Sequence, residues 1–256
     1  MKKQIVWIAG LIMLIISSVA QAQEFKLAKN TGTIEITEVN QVKIEGYAGK
    51  EVIFSSSDFN RDKDDRAKGL RAISSLGMED NTGLGLSVIE NGGVITVRQL
   101  KKMDGPDILI KVPQGMAIKY SHTSPHGSDV YVNNVEGEID ISTVHSDVRL
   151  ENSNGVVKVR TVHGGIDASF EDPIKNTISL TSTHGHVDVA LPSTVKANFK
   201  LTTSWGEILI DPAFKLEIDR AGDMVKYSDK MTARVNGGGV EISLASTHDN
   251  VYLRKK

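Results

Sequence analysis

The sequence predicts an all-β protein: a parallel β-solenoid, or β-helix, of two-strand rungs about 20 residues long, with one helical insertion in its N-terminal half. Three observations carry that prediction. From residue 121 onward a phrase recurs: Ser or Thr, a spacer, His, then a small or polar residue. Around it, apolar residues alternate with polar ones, and Gly or Asn stands at the breaks. Period-two alternation of β-branched residues marks strands, and a fixed repeat of this length marks stacked units. A sandwich or a barrel is the alternative, because evenly spaced short strands are also found there.

In chain order, residues 1–22 read as a secretory signal. Lys2 and Lys3 precede an apolar run over residues 5–16, and Ser17-Ser18-Val19-Ala20-Gln21-Ala22 ends in an A-x-A pattern that places cleavage after Ala22. The run is short of the roughly 20 apolar residues that a span requires. No second long apolar run follows, so no transmembrane segment is expected after signal removal. No Cys stands at the cleavage site to carry a lipid. The expected location is the periplasm or the cell surface, without a lipid anchor.

Residues 23–105 are less regular. Strand alternation occupies 33–36, 41–47 and 51–54, and resumes over 86–89 and 94–97. Between them, Asp58 is a fitting N-cap and Leu70, Ile73 and Leu76 fall at helical spacing, which predicts a helix over about 58–75. This part is expected to form the first rungs and a cap, since a solenoid must protect its open ends from edge-to-edge association.

Residues 106–256 hold the repeat. Its instances are Ser124-Pro125-His126-Gly127, Thr143-Val144-His145-Ser146, Thr161-Val162-His163-Gly164, Ser182-Thr183-His184-Gly185 and Ser246-Thr247-His248-Asp249. Trp205 holds the His place in Thr203-Ser204-Trp205-Gly206. From His126 to Trp205 the steps are 19, 18, 21 and 21 residues, and residues 108–113 echo 187–192 at an offset of 79, or four such units. The expected inward pairs are Val130/Val132, Ile139/Ile141, Val148/Leu150, Val157/Val159, Ile166/Ala168, Ile178/Leu180, Val187/Val189, Ile208/Ile210 and Val251/Leu253. Parallel stacking of successive rungs sets Arg149 beside Asp167 and Asp140 beside Lys158, where opposite charges contribute about 0.2–1 kcal/mol each. Arg254-Lys255-Lys256 places charge at the far end, a usual edge guard.

These features together resemble a known family. The signal peptide, the stretch 108–120 with its Val112-Pro113-Gln114-Gly115 turn, and the Gly-x-Val-x-Val rungs are similar to the bacterial "putative adhesin" domain family, of unknown function. Arg66-Ala67-Lys68-Gly69-Leu70 followed by Asp80-Asn81-Thr82-Gly83 looks like the version found in Bacteroidota. The resemblance covers most of the mature chain and is strongest over 106–210. It implies an exported β-solenoid, and its name implies adhesion; the motifs are structural and specify little chemistry. One departure is the turn, where that family usually has Ser or Gly and this chain has His.

Composition excludes several classes. Thirty Lys and Arg against 32 Asp and Glu give a net charge of −2, which argues against a nucleic-acid binder working by phosphate neutralisation. The absence of Cys removes disulfides, thiolate metal sites and thiol catalysis. All seven histidines fall in the repeat region. Equivalent positions on stacked strands lie about 4.8 Å apart, so His126, His145, His163 and His184 are expected to form a ladder along one edge. Imidazoles so placed are candidate ligands for Zn²⁺, Ni²⁺ or Cu²⁺, with His122 and His186 nearby. They would also repel one another when charged below their reference pKa of about 6.5. Against a dedicated metal site stands the lack of a carboxylate outer shell; the plainer reading is a turn residue copied with its repeat. Thr143-Val144-His145-Ser146-Asp147 has the residue types of a hydrolytic triad, but a triad is defined by geometry, and a motif copied along a repeat reads as scaffold. Residues 58–64 lack the Gly and Glu of a calcium loop. Trp205 either stacks on a sugar ring or caps an apolar cluster.

The expected function is therefore a non-enzymatic, exported cell-envelope module, adhesin-like or structural, acting through its long repeat faces. Its expected partner is an envelope glycan or another envelope protein, with no nucleic acid and no cofactor. One alternative is a polysaccharide-active β-helix enzyme, against which the alternating sign of the outward charges counts. Another is a metal- or pH-responsive envelope sensor built on the stacked histidines.

Overall fold

The computed structural model describes residues 23–56, 66, 70, 72–103, 105–171, 173–218 and 229–256. The signal segment and most of the expected helix lie outside the described residues. The alternating sequence folds into two large sheets. One runs, edge to edge, β1 (Gln23–Leu27), β4 (Val52–Ser56), β7 (Ile108–Pro113), β3 (Val42–Tyr47), β9 (Val130–Asn133), β11 (Val148–Glu151), β13 (Ile166–Ser169), β15 (Val187–Leu191), β21 (Val251–Lys255) and β17 (Ile208–Ile210). The other runs β18 (Leu216–Ile218), β19 (Asp229–Val235), β16 (Ala197–Thr203), β20 (Val240–Ser246), β14 (Ile178–Ser182), β12 (Val157–Thr161), β10 (Ile139–Thr143), β8 (Ala117–His122), β2 (Thr33–Thr37), β6 (Val94–Gln99) and β5 (Leu86–Asn91). Each rung is a strand of the second sheet followed by a strand of the first, and rungs pair in parallel.

The core lies between the sheets. All the expected inward pairs are buried except Ile208 and Ile210, which are half-buried because β17 is the last strand of its sheet. Each fully buried Val, Leu or Ile contributes about 1.5–3 kcal/mol relative to exposure, so the repeated pair on every strand is the main stabilising term. Arg149 aligns with Asp167 and Asp140 with Lys158, as the repeat requires. The ion pairs are nonetheless diagonal. Arg149 reaches Asp129 at 3.5 Å and lies over the Tyr131 ring at 5.3 Å, while Asp140 takes Arg160 at 3.3 Å. A guanidinium is long enough to reach past the residue directly opposite, and at these exposed positions each pair contributes at most about 1 kcal/mol.

Two expectations fail at the ends. Rungs do not stack in simple chain order: the β20–β21 rung inserts between β14–β15 and β16–β17, and the β2–β3 rung between β6–β7 and β8–β9. The 79-residue offset thus spans five strand steps from β7 to β15 rather than four. The helical insertion is also corrected where it can be seen. Among the described residues there is no α-helix, and Ile73 forms an antiparallel bridge with Glu79. The Ser74 hydroxyl accepts from the Leu76 and Met78 amides, closing a turn around Gly77. That local bonding competes with a helix, and Leu70, Ile73 and Leu76 are all exposed, so no packed face repays helix formation. The ends are instead capped by antiparallel strands: β5 on β6, β4 on β7 with β1 outside it, and β19 on β16 with β18 outside it.

Candidate functional site: a column of rings on the turn edge

The turns that join the two strands of a rung lie along one edge of the solenoid. In the five consecutive rungs from β10–β11 to β16–β17 the turn has four residues: 144–147, 162–165, 183–186, 204–207 and 247–250. The residue before each is a buried Thr143, Thr161, Ser182, Thr203 or Ser246. Its hydroxyl staples the turn. Ser182, Thr203 and Ser246 accept from the amides of Gly185, Gly206 and Asp249 at 2.9–3.0 Å. Thr143 and Thr161 donate to carbonyls within their own turns, Ser146 and Gly164, while Ser182, Thr203 and Ser246 donate to the turn carbonyl of the neighbouring rung. Gly164 and Gly185 are needed by close approach, since a Cβ on either would land on a carbonyl oxygen of the adjacent turn. The Ser/Thr and Gly of the repeated phrase are thus turn devices. The residue between them is left pointing to solvent.

That residue forms a continuous column. His145 stacks on His163 with ring centroids 5.3 Å apart, His163 on His184 at 4.9 Å, and His184 on His248 at 4.6 Å, with planes within 14°. Trp205 closes the column 6.5 Å from His248 and within 9° of parallel, and it is 78 % exposed. Three of the four expected histidines are brought together; His126 is not. Its turn, 123–129, has seven residues, and the extra length carries His126 out of the column. His248 takes the remaining place because its rung is the inserted one. Counting along the sequence misses it, since it follows Trp205 in the chain but precedes it in space.

The other two histidines are separate. His122 ends β8, opposite Thr143, and is completely buried against Tyr120. Its Nε2 lies 3.1 Å from Asn40 Oδ1 and 3.9 Å from a Glu38 carboxylate oxygen. The Asn40 amide nitrogen donates to the Lys102 carbonyl, so Oδ1 is left to accept from His122. Burial pushes the His122 pKa down; Glu38 opposes this and His145 adds to it. Burial acts against ionisation of Glu38, but hydrogen bonds from Thr123 and Ser124 and the His122 charge outweigh it and hold the carboxyl below its usual range. His186 contacts Asp167 at 3.1 Å on the outer face of the first sheet.

The column does not have the form of a chelating site. Stacked rings hold their nitrogen lone pairs in parallel planes, whereas a tetrahedral ion needs ligands that converge at about 2.0–2.1 Å. Among the described residues no group of three or more His, Asp or Glu is placed to hold a metal. Ser146, the hydroxyl of the triad-like phrase, is buried rather than presented to a substrate. Among the same residues no helix is long and apolar enough to cross a membrane.

The fold and its turn edge define a repeat-built, two-sheet parallel β-solenoid. The chain belongs to the Toastrack DUF4097 family, whose profile matches residues 14–254. It is similar to the crystal structure of a "putative cell adhesion protein" from Clostridium sporogenes, with 11 % identity, 92 % of this chain and 100 % of that one covered, and a TM-score of 0.46. It is also similar to that of a "putative adhesin" from Bacteroides fragilis, with 10 % identity, 92 % and 97 % coverage and a TM-score of 0.31. No curated protein matches it.

Proposed function

We propose that this protein is an exported, non-enzymatic envelope module that binds an extended glycan along its turn edge. The observation that carries this reading is the unbroken column from His145 to Trp205, five exposed rings at near-strand spacing. A polymer laid along it meets the same chemistry at every rung. Each imidazole brings two ring nitrogens that can hydrogen-bond sugar hydroxyls, and the indole face suits the C–H face of a pyranose. Repetition converts weak contacts into useful affinity. The stapled turns fix the spacing beforehand, which lowers the ordering cost on binding. The outer charges neutralise one another in pairs such as Arg149–Asp129 and Arg254–Asp188, unlike the concentrated charge of a polysaccharide-cleaving groove.

Two measurements test this. Protease treatment of intact cells, followed by fractionation, separates a surface protein from a periplasmic one; recovery only from the cytoplasm overturns export. Co-sedimentation with purified envelope glycan should weaken at least about tenfold for Trp205→Ala, a loss of about 1.4 kcal/mol, with no change in urea midpoint because the ring is exposed. Unchanged binding, or turnover of the glycan that one substitution abolishes, overturns the reading.

A further inference from the structure

We propose that a cavity at the β6 end of this same edge binds an acidic sugar, a pyranose bearing a carboxylate or phosphate. The proposal rests on the reading that the edge engages a glycan, and it supplies the charge and the end-point that the ring column lacks. The cavity holds about 550 Å³ and lies among the turns that follow β2, β6 and β8. That is within the roughly 300–1,000 Å³ range of small-molecule sites.

Its charge is one-sided. Arg98, Lys101 and Lys102 line it, and none of the three has a carboxylate partner among the described residues. Among the described residues Glu38 is the one acid in the wall, and its oxygens already accept from the Thr123 amide at 3.0 Å, the Thr123 hydroxyl at 2.7 Å and the Ser124 amide at 3.3 Å. Among the described residues of the wall the surplus is positive, which suits an anion.

The cations are also held in place. Gln99 and Asn40 are buried amides that do not serve the core. Gln99 Oε1 accepts from the Asn40 backbone N–H at 3.0 Å, and its Nε2 donates to the Lys101 carbonyl at 2.6 Å. Asn40 Nδ2 donates to the Lys102 carbonyl at 2.9 Å. Two consecutive carbonyls are thereby drawn inward, leaving both lysines exposed at the rim. Buried, satisfied polar networks of this kind fix a local geometry. Here they fix a cationic surface turn.

A bare ion has no use for the rest of the wall. Leu76, Met78 and Pro125 give it an apolar flank, and His126 stands beside them. An apolar wall beside a fixed cluster of cations matches a ring with a C–H face and one charged substituent. The seven-residue turn that removes His126 from the column brings it here.

The test is calorimetric titration of the full exported chain with trigalacturonic acid, its neutral methyl ester, and galactose 6-phosphate, at low and high salt. The expected result is binding of the acidic probes, weakened by salt and by at least tenfold in Lys101→Ala/Lys102→Ala, with the ester bound at least tenfold more weakly. Preference between the carboxylate and phosphate probes identifies the acid. Because both lysines are exposed, the double variant should fold; an unchanged urea midpoint verifies this, and Lys102→Glu serves as a second variant. Equal binding of acid and ester, wild-type affinity in both variants, or no binding of either acidic probe overturns the proposal. Any of these leaves the ring-column reading to its own Trp205→Ala test, so the two fail separately.

Discussion

His122 sits at zero exposure between Tyr120 and Asn40, and its titration couples this one ring to the stability of the fold. Burial lowers its pKa in the native state; the Glu38 carboxylate opposes the shift and His145 reinforces it. The unfolded chain, with an imidazole pKa of about 6.5, therefore takes up a proton first as pH falls. The associated stability is complete above that value and is lost as pH drops below it toward the folded pKa. Glu38 acts in a lower window. Its native pKa is depressed, so its contribution is present above the usual carboxylate range and lost as pH falls through the folded value. Tyr120 stays neutral throughout, because burial raises its phenol, which donates to the Val39 carbonyl at 2.8 Å. Urea midpoints compared at about pH 7.5 and about pH 5.5 isolate the histidine window. The wild type should lose stability between them, and His122→Gln should show a shallower slope. Equal slopes would show that His122 does not titrate with folding.

At the scale of the element, the decisive feature is where a rung sits rather than what it contains. Leu244 on β20 and Ile210 on β17 both face inward on strands late in the chain, yet Leu244 is fully buried and Ile210 is half-buried. The cause is the inserted rung, which has a neighbour on both sides while β17 has one. Leu244→Ala should therefore cost about 2–5 kcal/mol, and Ile210→Ala about half of that or less, read from denaturant midpoints. Similar costs would contradict the insertion. The strands themselves were legible, because alternation of residues such as Val157/Val159 and Ile178/Leu180 depends only on local sequence. The order of the end rungs was not, because a repeat records similarity between units and not which units touch. The same limit explains the site. His145, His163 and His184 belong to consecutive rungs of equal turn length and were placed correctly. His126 was misplaced by three extra turn residues, and His248 by the insertion. The cationic cavity left no local signal, since Asn40 meets Gln99 and Lys102 across 59 and 62 residues of chain. The helical spacing of Leu70, Ile73 and Leu76 was a true pattern with no core beneath it.

For the whole molecule, insertion at both ends changes how the solenoid should open. In a linear repeat array each unit touches only its neighbours, so the chain termini are also the spatial ends and fray first. Here the first full rung, β2–β3, and the last, β20–β21, each lie one place inside the stack, the first clamped by the later rung β6–β7 and the last by the earlier rung β16–β17. Releasing β20–β21 breaks parallel pairing to both β14–β15 and β16–β17 and exposes Ile242, Leu244, Val251 and Leu253, all buried. At about 1.5–3 kcal/mol per side chain, that loss is of the order of the 5–15 kcal/mol that stabilises a whole domain. Local opening of the C-terminal rung is therefore nearly as costly as global unfolding. Native-state hydrogen exchange should show the amides of β20–β21 and β2–β3 protected like those of central β10 to β13, and better than those of β17 and β18 at the spatial end. Fast, independent exchange over 240–255 would mean that the clamp does not hold and the termini fray as in a linear array. Cooperative protection would account for the ring column as well. His248 is the link between His184 and Trp205, so an extended ligand meets an unbroken edge only while the inserted rung stays in place.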